Sequence, residues 1–304
     1  MGLNKEHLIM RRRSTIIFLA VSFICCLYIF TSPAAMPHDA ITRLDASSWV
    51  CTAKSGNDEK ALAEEIKDYE RSARFRVKID EVRGLRASDT RQASIVAWLQ
   101  ANVLVDGQSL LDLGCAAGNV IKTVNASMAD RGGLGKIVGV ELVGGWASVA
   151  REALPGATIL EGDITEVDIP SSLGSFDVVL LNDVLEHVQG SRHGCLMRQI
   201  QRATHVGSAV YMHTPSPETQ LVEAGQYYEN VIRHHEIIYL MALAGFQLEK
   251  FEFDTSTNCG TNADHIKIPS FSRAKCIVNG VPKYYHMLFR RPRDVRTIGK
   301  SIAF

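Results

Sequence analysis

The chain has 304 residues, 46% of them hydrophobic, with 33 Lys and Arg against 33 Asp and Glu. That much apolar material fills one sizeable core or two modest ones and excludes an intrinsically disordered chain. A formal net charge of zero leaves no field of one sign to attract nucleic acid, so no nucleic-acid partner is expected.

In chain order, Arg11, Arg12 and Arg13 precede an uncharged stretch from Ser14 to Pro33 whose centre, IIFLAVSFICCLYIF, is strongly apolar. About twenty helical residues cross the ~30 Å hydrocarbon layer of a bilayer, and basic residues on the N-terminal side predict a cytoplasmic tail and a translocated body. Residues 1–33 are therefore expected to be a tail and transmembrane signal anchor; cleavage near Ala34 or Ala35 would instead give a secreted product. This predicts a single-pass membrane protein of the endoplasmic reticulum or Golgi, with the bilayer as a partner and the body in the lumen. Asn125-Ala126-Ser127 fits the glycosylation acceptor pattern.

Residues 34–87 read as a linker and an N-terminal helical cap, with 57–82 as one helix and Asn57 as a possible cap residue. Another helix follows Ser88-Asp89, with Ile95, Trp98, Leu99 and Val103 at helical spacing. The pair either covers the mouth of a pocket or simply packs.

From Ser109 onward short apolar runs alternate with helical stretches. SLLDLG, KIVGVEL, ATILEGDI, FDVVLLNDV, SAVYMHTP, FQLEKFEFD and KYYHMLFRR read as strands, with helices between most of them and a long one over 229–246. Apolar strands separated by helices favour a mostly parallel sheet covered on both faces, an α/β fold. The polar exceptions, Asp112, Glu141, Asp163 and Asn182-Asp183, all fall at strand ends, the edge at which such sheets bind ligands.

LLDLGCAAGN, residues 110–119, places Gly114 and Gly118 around Cys115, Ala116 and Ala117. Glycine there permits unusual backbone angles and close approach of a ligand. The chain lacks a GxxxxGK[ST] loop and the GxGxxG spacing, so a nucleoside without a pyrophosphate suits it better than a dinucleotide, with Glu141 accepting hydrogen bonds from a ribose.

Over about residues 88–292 the chain resembles the class I S-adenosylmethionine-dependent methyltransferases, of the type 11/12-like kind. The resemblance implies a Rossmann-like seven-stranded sheet of order 3-2-1-4-5-7-6, a methyltransferase domain over 88–296, and S-adenosyl-L-methionine as cofactor. It places Asp112, Gly114, Cys115 and Ala116 near the methionine end of that cofactor, with Gly118 keeping the loop close. It also implies Glu141 at the ribose, Leu142 and Ile164 against the adenine, Asp163 at its amine, and Asn182 at the cofactor edge.

Methyl transfer to a hydroxyl gains most from placement and further from a base. His187, on the turn after the fourth strand, and His213, in YMHTP, are the candidate bases. His234-His235-Glu236 invites a metal reading, but consecutive helical residues point about 100° apart. There is no CxxC pair or Cys/His cluster, so no metal is expected. Cys259 and Cys276 either pair or remain thiols. The predicted activity is O-methylation of a glycan or small-molecule hydroxyl. The alternatives are a membrane-associated methyltransferase of lipid or quinone-like metabolites and a non-catalytic scaffold with the same fold.

Overall fold

The computed structural model of the protein describes residues 56–85, 90–217, 219, 231–254, 277–278, 281–282 and 284–293. Helices α1 (Gly56–Arg71), α2 (Ala73–Val82) and α3 (Thr90–Asn102) precede the sheet. Then come β1 (Leu110–Leu113), α4 (Asn119–Met128), β2 (Ile137–Glu141), α5 (Gly144–Ala153), β3 (Thr158–Glu161) and β4 (Phe176–Asn182). The chain continues through α6 (His193–Ala203), β5 (Thr204–Pro215), α7 (His234–Leu243) and β6 (Gln247–Asp254). A small hairpin of β7 (Ile277–Val278) and β8 (Val281–Pro282) leads into β9 (Tyr284–Arg290).

Seven strands form one sheet in the order β3-β2-β1-β4-β5-β9-β6. The first five run parallel, and β9 lies antiparallel between β5 and β6. This is the expected order, with β9 as the strand out of direction. Alternation along the strands divides the core between the two faces. Leu111, Leu113, Val179, Leu181, Val210 and Met212 pack with α6 and α7, whereas Leu110, Val178, Leu180, Tyr211 and Leu288 pack with α3, α4 and α5. Near-continuous apolar runs are what a sheet covered on both sides requires.

The strand order reverses between β1 and β4, so the loops after them diverge and open a crevice at their C-terminal ends. Aromatic packing docks the N-terminal helices over it: Phe75 stacks on Trp146 at 5.6 Å between ring centroids, and Tyr69 lies 5.7 Å from the same ring.

Several expectations need correction. The single helix over 57–82 is two, because Ser72 leaves helical geometry and accepts a hydrogen bond from the Phe75 backbone N–H, capping α2. The long helix over 229–246 begins only at His234. The transmembrane helix is also withdrawn from the fold: no described helix is long and apolar enough to cross a membrane. The signal anchor, the bilayer partner and the lumenal, single-pass placement all rested on that segment and are withdrawn with it; residues 14–33 themselves lie outside the described residues. Cys259 and Cys276 lie outside them too.

Candidate active site

The crevice is a cavity of about 290 Å³. Its floor is the glycine loop. Gly114 takes a left-handed φ of +83°, and a Cβ there would stand 2.5 Å from Val184 Cγ2. Ala116 is also left-handed, at φ +49°, held by Glu141: one Glu141 carboxylate oxygen accepts the Ala116 N–H at 2.8 Å and the other the Val143 N–H at 2.8 Å. Glu141 thus ties the end of β2 to the loop after β1. Gly118 turns the chain into α4 at φ +83°, where a Cβ would meet Leu154 Cδ1 at 2.7 Å.

Every residue assigned to the cofactor from sequence lines this cavity except Gly118, and His187 lines it as well. Asp112 is almost fully enclosed; burial, reinforced by the Glu141 charge, raises its pKa to about 7. Burial likewise raises Glu141 to about 7 against the opposing pull of its backbone hydrogen bonds. Asp163 accepts from both the N–H and the hydroxyl of Thr165, at 2.7 and 2.8 Å. Arg192 braces that loop through the Thr165 hydroxyl at 2.8 Å and Glu166 at 2.5 Å.

Five buried side-chain polar atoms among the described residues have no hydrogen-bond partner: Gln92 Oε1, Asp112 Oδ1, Asn119 Oδ1 and both amide atoms of Asn182. All four residues line this cavity. Leaving such an atom unmade costs about 1–3 kcal/mol, so a convergent set of them marks where a polar ligand belongs. The polar atoms and the loop at which a Cβ is excluded fit a nucleoside cofactor.

The two candidate bases part company here. His187 is half-buried on the cavity wall, with Nδ1 3.4 Å from Tyr69 Oη. His213 is fully buried and is not part of the cavity wall. It lies between Asp183 Oδ1 at 2.7 Å and Asp254 Oδ2 at 3.3 Å. Burial opposes its imidazolium form, but the two carboxylates outweigh burial and hold its pKa above the ordinary value. What reaches the cavity is Asp183, left-handed at φ +53° and paired with Arg91 at 2.9 Å. Burial works to raise the Asp183 pKa, yet Arg91 and then His213 hold it well below the usual carboxylate range.

Sequence reasoning missed Arg91 and Tyr69, which enter from the N-terminal helices; Glu186, on the turn with His187, is a buried carboxylate that accepts from the Thr214 hydroxyl at 3.1 Å. Arg91 reaches Asp183 across 92 residues of chain, and no local pattern announces such a pair.

Comparison with known proteins bears on this geometry. A family model described as a methyltransferase domain matches residues 111–212, from the glycine loop through β5. The chain carries an S-adenosylmethionine-dependent methyltransferase domain. S-adenosylmethionine is its cofactor, and the scaffold alternative is thereby set aside. No curated protein matches in sequence.

Similar solved structures place the fold in the same class. A putative methyltransferase from Haloferax volcanii, in complex with the Trm112 methyltransferase activator, aligns with TM-score 0.55 and 15% identity over 72% of this chain and 96% of that one. Geranyl diphosphate C-methyltransferase from Streptomyces coelicolor A3(2) aligns at 0.53 and 14%, over 66% of this methyltransferase and 79% of its own length. Magnesium protoporphyrin IX methyltransferase from Synechocystis PCC 6803 aligns at 0.50 and 14%, over 74% and 97%.

Proposed function

We propose that this methyltransferase transfers the methyl group of S-adenosylmethionine to a hydroxyl of a small organic molecule, lipid- or quinone-like in character rather than a glycan. The observation that carries the reading is the convergence of the unpartnered atoms of Asp112, Asn119, Asn182 and Gln92 on the cavity that also holds His187. The cofactor, when bound, supplies a methyl group activated on a sulfonium.

This chain's residues then do the placing. Asp112 and Asn182 orient the methionine end, together with the backbone of Gly114, Cys115 and Ala116, while Gly118 keeps the loop close. Glu141 takes the ribose hydroxyls on the lone pairs that its two backbone bonds leave. Asp163 addresses the adenine amine between Leu142 and Ile164. Leu62, Trp146 and Val188 give the cavity an apolar wall suited to a ring or chain. His187, positioned by Tyr69, accepts the hydroxyl proton as the new oxygen–carbon bond forms. His213, enclosed between two carboxylates, acts through Asp183 as a positioning residue.

Two of the similar structures are named for small organic substrates, geranyl diphosphate and magnesium protoporphyrin IX, which supports a small-molecule acceptor. The test is incubation of purified protein with methyl-labelled cofactor and a panel of phenols, quinols, hydroxylated lipids and free sugars. The expected product is an O-methyl ether on a phenol, quinol or lipid hydroxyl. His187→Gln should lower kcat by roughly 10²–10⁴ with cofactor affinity unchanged. Label found only on carbon, nitrogen or sugars, or a His187→Gln enzyme as fast as the parent, would refute the proposal.

A further inference from the structure

His213, Asp254 and His286 come from three neighbouring strands, β5, β6 and β9, and meet on the sheet face beneath α3. His213 and His286 are direct register partners. His213 Nε2 lies 3.3 Å from one Asp254 carboxylate oxygen and His286 Nε2 3.6 Å from the other, with side chains exposed by no more than 3%. One ligand atom from each residue lies within 4.8 Å of the other two. Nitrogen and oxygen ligands held ~2.0–2.2 Å from a zinc ion at tetrahedral angles stand roughly 3.3–3.6 Å apart, so each histidine–carboxylate separation is already of ligand size and the other pairs, within 4.8 Å, draw in on the ion.

The surroundings point the same way. The outward nitrogen of each imidazole has an oxygen partner: His213 Nδ1 lies 2.7 Å from Asp183 Oδ1, and His286 Nδ1 lies 2.7 Å from Tyr211 Oη. Metal-bound imidazoles almost always donate their second ring N–H to such an oxygen, which fixes the tautomer and presents Nε2 to the ion. Ser94 Oγ donates to Asp254 Oδ1 at 3.2 Å. Tyr284 stacks on the His213 ring at 5.0 Å and Trp98 on the His286 ring at 5.1 Å, so neither imidazole is at liberty to turn away.

We propose that His213, Asp254 and His286 form a binding site for a divalent first-row transition-metal ion, of the zinc type, that clamps β5, β9 and β6 together. None of the three residues lines the cofactor cavity. The ion is therefore a brace for the β5–β9–β6 edge, set behind Asp183, and not a participant in methyl transfer. Two imidazoles and one carboxylate suit zinc and its neighbours better than magnesium or calcium, which prefer all-oxygen shells.

The test uses the full chain, purified without a polyhistidine tag, stripped with a chelator and titrated with zinc and with cobalt. About one equivalent should bind, cobalt should show the d–d absorption of a four- or five-coordinate nitrogen and oxygen site, and zinc should raise Tm. His286→Ala should weaken zinc binding at least 100-fold, and Tyr211→Phe, which removes an outer partner, by about 10–100-fold. A His234→Ala/His235→Ala variant should bind as the parent does, which separates this site from the adjacent pair on α7. Should the parent bind no zinc and show only the spectrum of aqueous cobalt, the cluster is a hydrogen-bonded one and the proposal fails. Binding lost in the α7 variant but kept in His286→Ala overturns it equally. None of these readouts depends on methyl transfer, so their failure would leave the proposed acceptor untouched.

Discussion

Gly114 and Ala116 stand two residues apart in the same loop, both left-handed, and substitutions at the two should differ sharply in cost. At Gly114 an added methyl meets Val184 at 2.5 Å as well as the strain of φ +83°. Gly114→Ala should therefore cost about 2–4 kcal/mol in urea unfolding and weaken cofactor binding. Ala116 already carries its methyl group at φ +49°, so Ala116→Gly should relieve strain and change stability by no more than about 1 kcal/mol. At this scale the glycine loop and the strand-end acids were legible, because each is written in contiguous residues. The division of labour between His187 and His213 was not. One follows the fourth strand and the other lies near the C-terminal end of the fifth, and only packing puts one on the cavity wall and the other between Asp183 and Asp254.

Among the elements, the N-terminal helices supply residues to the cavity wall from outside the sheet. Tyr69 of α1 and Lys78 of α2 line the cavity, and α2 is further held by Asn119 Nδ2 donating to Glu81 at 3.1 Å. Ser72 sets the angle between α1 and α2 through its cap. Ser72→Ala should cost about 1 kcal/mol, and hydrogen exchange should rise over residues 56–82 while β1, β4 and β5 stay protected. If exchange rises equally in the sheet, the cap is not a separate opening unit. The uniform charge pattern of 57–82 hides this break, since a serine within a helical run signals an N-cap only once the chain is seen to turn there. The strands were easier to read, because burial on both faces demands unbroken apolar runs.

At the scale of the whole molecule, two buried acids beneath one cavity make stability depend on pH. Asp112 and Glu141 have native pKa values of about 7, raised first by burial, whereas in the unfolded chain they titrate near about 4. Between these values the folded protein holds protons that the unfolded chain releases, so stability should fall as pH rises through that window. It should level off above about 7, with a slope of at most ~1.4 kcal/mol per pH unit from each acid. The two sit close enough to titrate as a pair. Urea midpoints of the cofactor-free protein from pH 5 to pH 8 test this: Asp112→Asn should flatten the profile, and a midpoint that rises with pH in the parent would contradict it.

The amino-acid sequence by itself determined the alternation of strands and helices, the mostly parallel sheet, the position of the glycine loop and the acids that face it. Those features depend on local periodicity and on neighbours a few residues apart. Tertiary structure alone decided which histidine meets the cavity, that Arg91 holds Asp183 from 92 residues away, and that His213, Asp254 and His286 converge from three strands. Such groupings arise from strand register and helix docking, where residues distant along the chain become neighbours because their backbones share hydrogen bonds and a buried face, and no local pattern encodes that adjacency.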